Sequence, residues 1–171
     1  MARNVEIKAR LEHWAAVSHK VAALANEGPV QIAQDDTFFR CDNGRLKLRV
    51  FSDTQGELIF YRRNDRQGPK ESFYVRSPTS NPATLRQALA LAHGEVGRVV
   101  KARTLYLVGR TRVHLDRVQG LGDFVELEVV LEDHEPLEAG VREAHRLMAA
   151  FDIPPAHLVG GAYVDLLAKA R

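Results

Sequence analysis

An alternation of apolar and polar residues recurs along most of the chain and predicts β-strands. In the first example, "RNVEIKARL" at residues 3–11, Val5, Ile7, Ala9 and Leu11 alternate with polar side chains. A strand with this pattern has one apolar face and one charged face. The eight predicted strands lie at residues 3–11, 30–40, 44–51, 56–63, 69–76, 96–108, 110–118 and 124–132.

Four other segments have the spacing of helices. The first, residues 12–28, contains Trp14 as a packing residue and is predicted to end at Gly28, before Pro29. The other predicted helices lie within residues 81–94, 135–151 and 154–170. The order of elements therefore predicts an α+β fold with an antiparallel sheet.

The polar faces of these strands favour a closed sheet over an open one. An open sheet with one solvated face is the simpler interpretation of alternation alone. However, Arg45, Lys47 and Arg49 place three like charges on neighbouring positions of one face, where they repel each other unless an anion lies among them. Eight strands also suffice to close a small barrel and so remove exposed edges. We therefore expect a closed eight-stranded antiparallel barrel with helices outside and a charged, hydrated tunnel inside.

Composition narrows the class of protein. The 171 residues predict one domain, residues 1–171, and 24 Lys and Arg against 22 Asp and Glu leave a formal charge of only +2. This balance argues against a nucleic-acid or membrane partner. Cys41 is the only cysteine, and the sequence contains no apolar run of the roughly 20 residues that span a bilayer. We expect a cytoplasmic protein without a leader, and the sequence is compatible with a homodimer.

The inward charges predict the chemistry of the ligand. Cations outnumber carboxylates on the predicted inner face, so a polyanion is the expected occupant. Glu126 and Glu128 are one pleat apart on one strand, and Glu6 or Asp116 could add a carboxylate from another strand. Such hard oxygen donors suit Mg²⁺ or Mn²⁺, which also bind phosphates. An ordinary strand with a solvated edge is the alternative interpretation of the "ELE" segment.

Together these segments resemble the CYTH family, the triphosphate tunnel metalloenzymes, which include class IV adenylyl cyclases and thiamine triphosphatases. The blocks occur in the family's order from residue 4 to about 167. They are "NVEIK", "QDDTFF", "GRLKLR", "ELIFYRR", "GPKESFY", "VKARTLY", "RVHLD", "ELE" and "AYVDLL".

The resemblance implies a role for each matching charged residue. The implied metal ligands are Glu6, Glu126 and Glu128, and the implied catalytic residues are Lys8, Arg63 and Asp116. The implied substrate-binding residues are Arg45, Lys47, Arg49, Lys70, Lys101, Arg103 and Arg112. Arg10 and Arg76 have no counterpart in the family's motifs.

One position departs from the family signature E-x-E-x-K. Asn4 replaces the first acid, and an amide oxygen can bind a metal but brings no charge. A second metal would then be held more weakly than in relatives with the acid. We expect the substitution Asn4→Glu to tighten Mg²⁺ or Mn²⁺ binding, which a metal titration would measure.

The resemblance leaves the reaction open. The run of basic strands is most similar to the class IV cyclases, which convert ATP to cyclic AMP and pyrophosphate, but no His-Phe pair precedes the signature here. Hydrolysis of thiamine triphosphate or inorganic tripolyphosphate is the alternative, with Tyr61 or Phe39 as candidates to stack on a thiazolium ring. A non-catalytic nucleotide- or polyphosphate-binding tunnel is a further alternative. His114 is the one histidine predicted to face the tunnel, in a hydrogen-bonding or proton-transfer role.

Overall fold

A computed structural model describes residues 2–171, which form a closed antiparallel barrel. Around the barrel the strands follow the order β1-β5-β4-β3-β2-β6-β7-β8. The strands are β1 (Ala2–Arg10), β2 (Glu27–Phe39), β3 (Arg45–Ser52), β4 (Gln55–Arg63), β5 (Lys70–Thr79), β6 (Glu95–Val108), β7 (Thr111–Val118) and β8 (Gly122–Val130). The helices are α1 (Trp14–Leu24), α2 (Pro82–His93), α3 (Leu137–Ala150) and α4 (Tyr163–Lys169), with a 3-10 turn at Pro155–His157.

Strand β1 closes the barrel because it pairs on both of its sides. Asn4 lies opposite Ser72 of β5, and Glu6 lies opposite Glu128 of β8. The paired edges confirm the predicted closed barrel, and the open-sheet interpretation is wrong. Closure also decides which way each alternating side chain points, because one face of every strand must turn inward.

The main hydrophobic core lies outside the barrel wall. Ile7, Val113 and Leu127 are buried there against Val21 of α1 and Leu147 of α3. Full burial of an aliphatic side chain of this size contributes about 1.5–3 kcal/mol. The apolar faces predicted from the alternation are thus covered by helices, and the charged faces are left to line the interior.

Helix α1 ends earlier than its sequence predicts. It stops at Leu24, and Gly28 lies inside β2 instead of capping the helix. Gly28 has a φ of 104°, and a Cβ at this position would lie 2.6 Å from the carbonyl oxygen of Leu105. The glycine therefore serves the close approach of β2 to β6, a tertiary contact that the helix pattern could not reveal.

The C-terminal segment closes one end of the barrel. The backbone N–H of Val159 donates to the carbonyl oxygen of Lys8, and Leu158 forms a bridge with Ala9. The segment then enters α4, whose Tyr163 packs edge-on against Phe124, with ring centroids 5.0 Å apart. The C-terminal segment therefore covers one end of the charged tunnel, and the interior has the form of a cup that opens at the other end.

No helix within residues 2–171 is both long and apolar enough to cross a membrane.

Candidate functional site

The interior of the barrel holds a charged cavity of about 260 Å³. It is lined from all eight strands and by Tyr163 at the closed end, and its opposite rim includes the exposed Arg76. Eight cationic side chains line it: Lys8, Lys47, Arg49, Arg63, Arg76, Lys101, Arg103 and Arg112. Five carboxylates line it: Glu6, Asp36, Glu57, Glu126 and Glu128. The lining therefore has an excess of three positive charges, as expected of a site for a polyanion.

Asp36 of β2 organises one side of the cavity. Its carboxylate accepts two hydrogen bonds of 2.8 Å from Arg49 and one of 3.1 Å from Lys47, and Lys101 lies 3.5 Å away. Burial alone would raise the pKa of Asp36, but these three cations outweigh it and hold that pKa well below its ordinary value. One permanently ionised carboxylate thus holds three cations in place.

Burial lowers the pKa values of the two lysines in this group. Burial lowers the pKa of Lys101 to about 7, with Arg103 adding repulsion and Asp36 opposing the shift. Burial likewise lowers the pKa of Lys47 to about 8, reinforced by Arg49. An anionic ligand favours the charged form of both lysines. Its affinity should therefore rise as the pH falls through the pKa values of these lysines.

The closed end of the cavity is built around the carbonyl oxygen of Gly161. Lys8 Nζ donates to it at 3.2 Å, and Arg63 donates to it at the same distance. Lys8 Nζ also lies 3.9 Å above the ring of Tyr163 and 3.4 Å from Glu126. Burial lowers the pKa of Lys8 to about 8, and Glu126 opposes that shift. These two cations face any ligand that reaches the base of the cup.

Asp116 lies behind the cavity wall. Arg103 donates to it at 2.7 and 2.8 Å, and the Tyr163 hydroxyl donates to it at 2.8 Å. Burial would raise the pKa of Asp116, but Arg103 lowers it below its ordinary value. Asp116 therefore orients Arg103 and fastens α4 to the barrel, and it does not line the cavity.

Three side chains on β7 and β8 form a candidate metal site. One potential ligand atom from each of His114, Glu126 and Glu128 lies within 4.8 Å of the other two. Burial would raise the pKa of Glu126, but Lys8 and Arg103 hold it well below its ordinary value, so the carboxylate is ionised. Burial would also raise the pKa of Glu128, but His114 and Arg112 lower it below its ordinary value.

Two buried polar atoms at the cavity show that these residues fit a metal ion. Neither His114 Nδ1 nor Asn4 Oδ1 has a hydrogen-bond partner among residues 2–171. Both side chains line the cavity, and unpaired buried acceptors of this kind are costly unless a ligand or water satisfies them. A cation bound beside Glu126 and Glu128 would satisfy the lone pair of His114 Nδ1.

The structure brings most of the sequence-predicted site residues together around one cavity. Those that line it are Glu6, Lys8, Lys47, Arg49, Arg63, Lys101, Arg103, Arg112, Glu126 and Glu128. The carboxylate of Glu6 accepts a 2.7 Å hydrogen bond from Arg63 and lies outside the group of His114, Glu126 and Glu128, and its role as a metal ligand stays a prediction. Arg76, for which we predicted no role, lies at the rim.

Arg45, Lys70 and Asp116 do not line the cavity. Arg45 pairs with Asp165 of α4 at 2.6 Å, because its strand position lies at the end that the C-terminal segment covers. Lys70 is 1% exposed, and its Nζ donates to the carbonyl oxygen of Arg66 at 3.0 Å. The substrate-binding roles of Arg45 and Lys70 and the catalytic role of Asp116 stay predictions.

Sequence reasoning assigned no role to Asp36 and Tyr163. Both lie in blocks that contributed to the family resemblance, "QDDTFF" and "AYVDLL". The three partners of Asp36 come from β3 and β6, so the pattern along β2 does not reveal them. Tyr163 lies on a helix, and the alternation of strands has no bearing on it.

Comparisons with known proteins agree with this architecture. The model of the CYTH domain family matches residues 2–163. A search of curated proteins gave no significant match.

Solved structures share the fold at low sequence identity. The PH1012 protein of Pyrococcus horikoshii is 19% identical with a TM-score of 0.85, over 96% of this chain and 99% of that chain. A "putative adenylate cyclase" of Vibrio parahaemolyticus is 17% identical with a TM-score of 0.78, over 96% of this chain and 97% of that chain. HpAC1 of Hippeastrum, a "putative adenylyl cyclase" described as having a dominant triphosphatase activity, is 17% identical with a TM-score of 0.69, over 98% of this chain and 96% of that chain.

Proposed function

Because the chain belongs to the CYTH domain family, we propose that it is a divalent-metal-dependent enzyme that processes the triphosphate group of a small molecule inside the barrel. The observation that supports this most directly is the cavity, which is closed at one end and has three more cations than carboxylates. A triphosphate supplies the negative charge that such a lining needs.

The closed end gives the substrate one orientation. Because the C-terminal segment covers the end at Tyr163, the triphosphate in our proposal enters from the rim at Arg76 with its terminal phosphate foremost. Lys8 and Lys101 both lie near the Tyr163 ring at the base of the cup, with their Nζ atoms 3.9 and 5.3 Å from its centroid. These lysines bind the terminal phosphate in our proposal, and the organic group stays at the rim.

Glu126 and Glu128, with the neighbouring imidazole of His114, would hold a divalent ion at the wall of the cavity. Mg²⁺ and Mn²⁺ suit the carboxylates, and such an ion would polarise a phosphoryl oxygen and offset charge that develops on it. Arg112 and Arg103 flank the two carboxylates and would neutralise further phosphate charge.

We favour a cyclase-like reaction because the metal group extends from Glu126, 3.4 Å from the deep Lys8, to Glu128, which lies nearer the rim. Glu128 pairs with Arg112, which in turn donates to Tyr74, whereas Lys8 and Lys101 contact Tyr163 at the closed end. A metal beside Glu128 would then face the phosphate next to the organic group. With ATP, the ribose 3′-oxygen would form a bond to the α-phosphorus and lose its proton. The bond from that phosphorus to the bridging oxygen would break, and pyrophosphate would leave.

Hydrolysis of the terminal phosphate is the second candidate. It is supported by the dominant triphosphatase activity described for HpAC1, which has the same fold. In this reaction water attacks the terminal phosphorus of thiamine triphosphate or tripolyphosphate, and the bond from that phosphorus to the bridging oxygen breaks. Orthophosphate and the diphosphate leave, and the deep lysines would offset the negative charge on the phosphoryl oxygens.

Purified protein incubated with Mg²⁺ or Mn²⁺ and each of ATP, thiamine triphosphate and tripolyphosphate tests these alternatives by chromatography. Cyclic AMP with pyrophosphate supports the cyclase, and released orthophosphate supports hydrolysis. Ligand binding without any product would contradict both reactions and would indicate a non-catalytic binding protein.

Two arginines form a matched pair of variants for this assay. Arg49 and Arg98 each make two hydrogen bonds to an aspartate of β2, Arg49 inside the barrel and Arg98 outside it. Arg49→Met should lower turnover at least tenfold, whereas Arg98→Met should leave it nearly unchanged. Equal losses in the two variants would contradict an active site inside the barrel.

A further inference from the structure

The imidazole of His114 lies between two carboxylates but makes no hydrogen bond with either. Its Nδ1 is 3.7 Å from Glu126 Oε2 and 3.7 Å from Glu128 Oε1. Both distances exceed those of a real hydrogen bond, and this atom has no partner elsewhere in residues 2–171. The side chain is 5% exposed, so the nitrogen is both desolvated and aimed into the site.

We infer that His114 Nδ1 is itself a metal ligand, which completes a site with Glu126 and Glu128 and makes that site prefer Mn²⁺ over Mg²⁺. This inference rests on the proposed metal-dependent function, but it concerns the identity of the ligands and of the ion. Neither the family signature nor the alternation of the strands assigned such a role to the histidine.

The neighbouring cations leave Glu128 Oε1 without an ion pair, whereas both oxygens of Glu126 are paired and would be shared with a metal ion. Arg112 donates two hydrogen bonds to Glu128 Oε2, at 2.9 and 2.8 Å, which leaves Oε1 facing the imidazole. Arg103 lies 3.2 Å from Glu126 Oε2, and Lys8 lies 3.4 Å from Oε1 of the same carboxylate. A metal ion can therefore reach Glu128 without breaking its ion pair with Arg112.

The spacing suits a shared ion better than direct contact. Ligand atoms about 2.0–2.1 Å from an octahedral ion are roughly 3 Å apart when adjacent and roughly 4 Å apart when opposite. The separations of 3.7 Å from His114 Nδ1 to the two carboxylate oxygens lie between these limits. Small side-chain movements would bring all three atoms onto one ion.

The residue at position 4 gives His114 a role in metal binding that relatives with an acid there need less. Asn4 offers no charge at the first position of the signature, and its Oδ1 is also buried without a partner in the described part of the chain. Glu6, the remaining acid of that signature, is engaged by Arg63 at 2.7 Å. In relatives with an acid at this position, the first strand offers one more carboxylate to the metal. His114 supplies a third protein ligand in this chain, where that carboxylate is missing.

The imidazole ligand also predicts which ion binds. Mg²⁺ is a hard ion that prefers oxygen and keeps its waters, whereas first-row transition ions accept imidazole readily. A metal ion that binds Nδ1 uses its lone pair and therefore displaces any proton that this atom holds between the two carboxylates. We expect Mn²⁺ to bind more tightly than Mg²⁺ by tenfold or more in the intact protein.

Pulsed electron paramagnetic resonance of bound Mn²⁺ tests nitrogen coordination directly. Protein with ¹⁵N-labelled histidine and unlabelled protein should give different electron spin echo modulation, because a coordinated nitrogen couples to the electron spin. The substitution His114→Gln should remove this modulation and weaken Mn²⁺ binding about tenfold or more in a calorimetric titration, with a smaller effect on Mg²⁺. Circular dichroism and thermal unfolding would show that the variant is folded.

The exposed His145 of α3 provides the matched control, because His145→Gln removes a histidine far from the cavity. It should preserve both the modulation and the affinity for Mn²⁺. Binding of Mn²⁺ with no histidine modulation, or with unchanged affinity in His114→Gln, would overturn the inference but leave a metal-dependent enzyme. No binding of either ion, with or without tripolyphosphate, would overturn the proposed function as well.

Discussion

Asp35 and Asp36 are neighbours on β2 but lie on opposite sides of the barrel wall. Asp35 pairs with Arg98 on the outer surface, where its side chain is 32% exposed. Asp36 pairs with Arg49, Lys47 and Lys101 in the interior, where its side chain is 1% exposed. Each aspartate therefore forms ion pairs, but the pairs of Asp35 are exposed to water and those of Asp36 are buried.

The substitution Asp36→Asn should destabilise the protein by about 3 kcal/mol, because it leaves three buried cations without their carboxylate. Asp35→Asn should cost less than about 1 kcal/mol, since exposed ion pairs contribute little. Urea unfolding of both variants measures these free energies. Similar losses in the two variants would contradict the burial of the Asp36 cluster.

Binding of tripolyphosphate at pH 8 should take up protons from solution. Lys101, with a pKa of about 7, is mostly neutral at this pH, and a bound anion raises that pKa and protonates the amine. Uptake should be smaller at pH 6, where the lysine is already charged before binding. Calorimetric titrations in two buffers of different ionisation enthalpy measure the number of protons.

Lys101→Met is the matched variant for the proton measurement, and it should reduce the uptake at pH 8. Lys8 and Lys47, with pKa values of about 8, would account for the remainder. Binding enthalpies that do not depend on the buffer at pH 8 would contradict a neutral Lys101 in the free protein.

Among the elements, α4 decides whether the barrel is a cup or an open tunnel. Its Tyr163 and Val164 are buried against the interior, and Gly97 of β6 gives the helix room. A Cβ at Gly97 would clash with Val164 Cγ2, because the side chain of Val164 is restricted at χ1.

Gly97→Ala should therefore destabilise the protein by about 1–3 kcal/mol through overpacking, and should weaken tripolyphosphate binding as α4 is displaced. The double variant Gly97→Ala/Val164→Ala should recover part of both losses, because it removes the clashing methyl groups. Denaturant unfolding and calorimetric binding measure the two effects. If the effects of the two single substitutions on the free energy of unfolding simply add in the double variant, residues 97 and 164 are not in contact.

At the scale of the whole molecule, the excess of positive charge in the cavity opposes folding until an anion binds. Tripolyphosphate at 100 times its dissociation constant should stabilise the protein by about 2.7 kcal/mol. For a chain of this size the melting temperature should then rise by roughly 5–10 °C. Thermal unfolding with sulfate at equal ionic strength is the control, and an equal rise with sulfate would contradict a specific polyphosphate site.

The alternation along the chain was enough to predict the closed barrel and the inward side chains of its strands. Arg49, Lys101 and Glu128 line one cavity because alternation places a side chain on one of only two faces. Closure of eight strands then makes one of those faces the inside, so a local pattern predicts a global property.

The same pattern could not predict what happens at the ends of the strands. Arg45 follows the inward alternation but pairs with Asp165, because the C-terminal segment covers that end of the barrel. The sequence predicts the end of a helix at Gly28. In the structure this glycine lies in β2, where its backbone packs against Leu105 of β6. In both cases the deciding contact comes from a part of the chain distant in sequence.

The sequence by itself determined the strands, their charged faces and the excess of cations that a polyanion must neutralise, because these depend on residue type and a period of two. Only the tertiary structure decided that the interior is a cup, that Asp116 fastens α4 and that His114 Nδ1 faces two carboxylates. Those features depend on distances between atoms of different strands, which are fixed only when the register and the closure of the barrel are fixed.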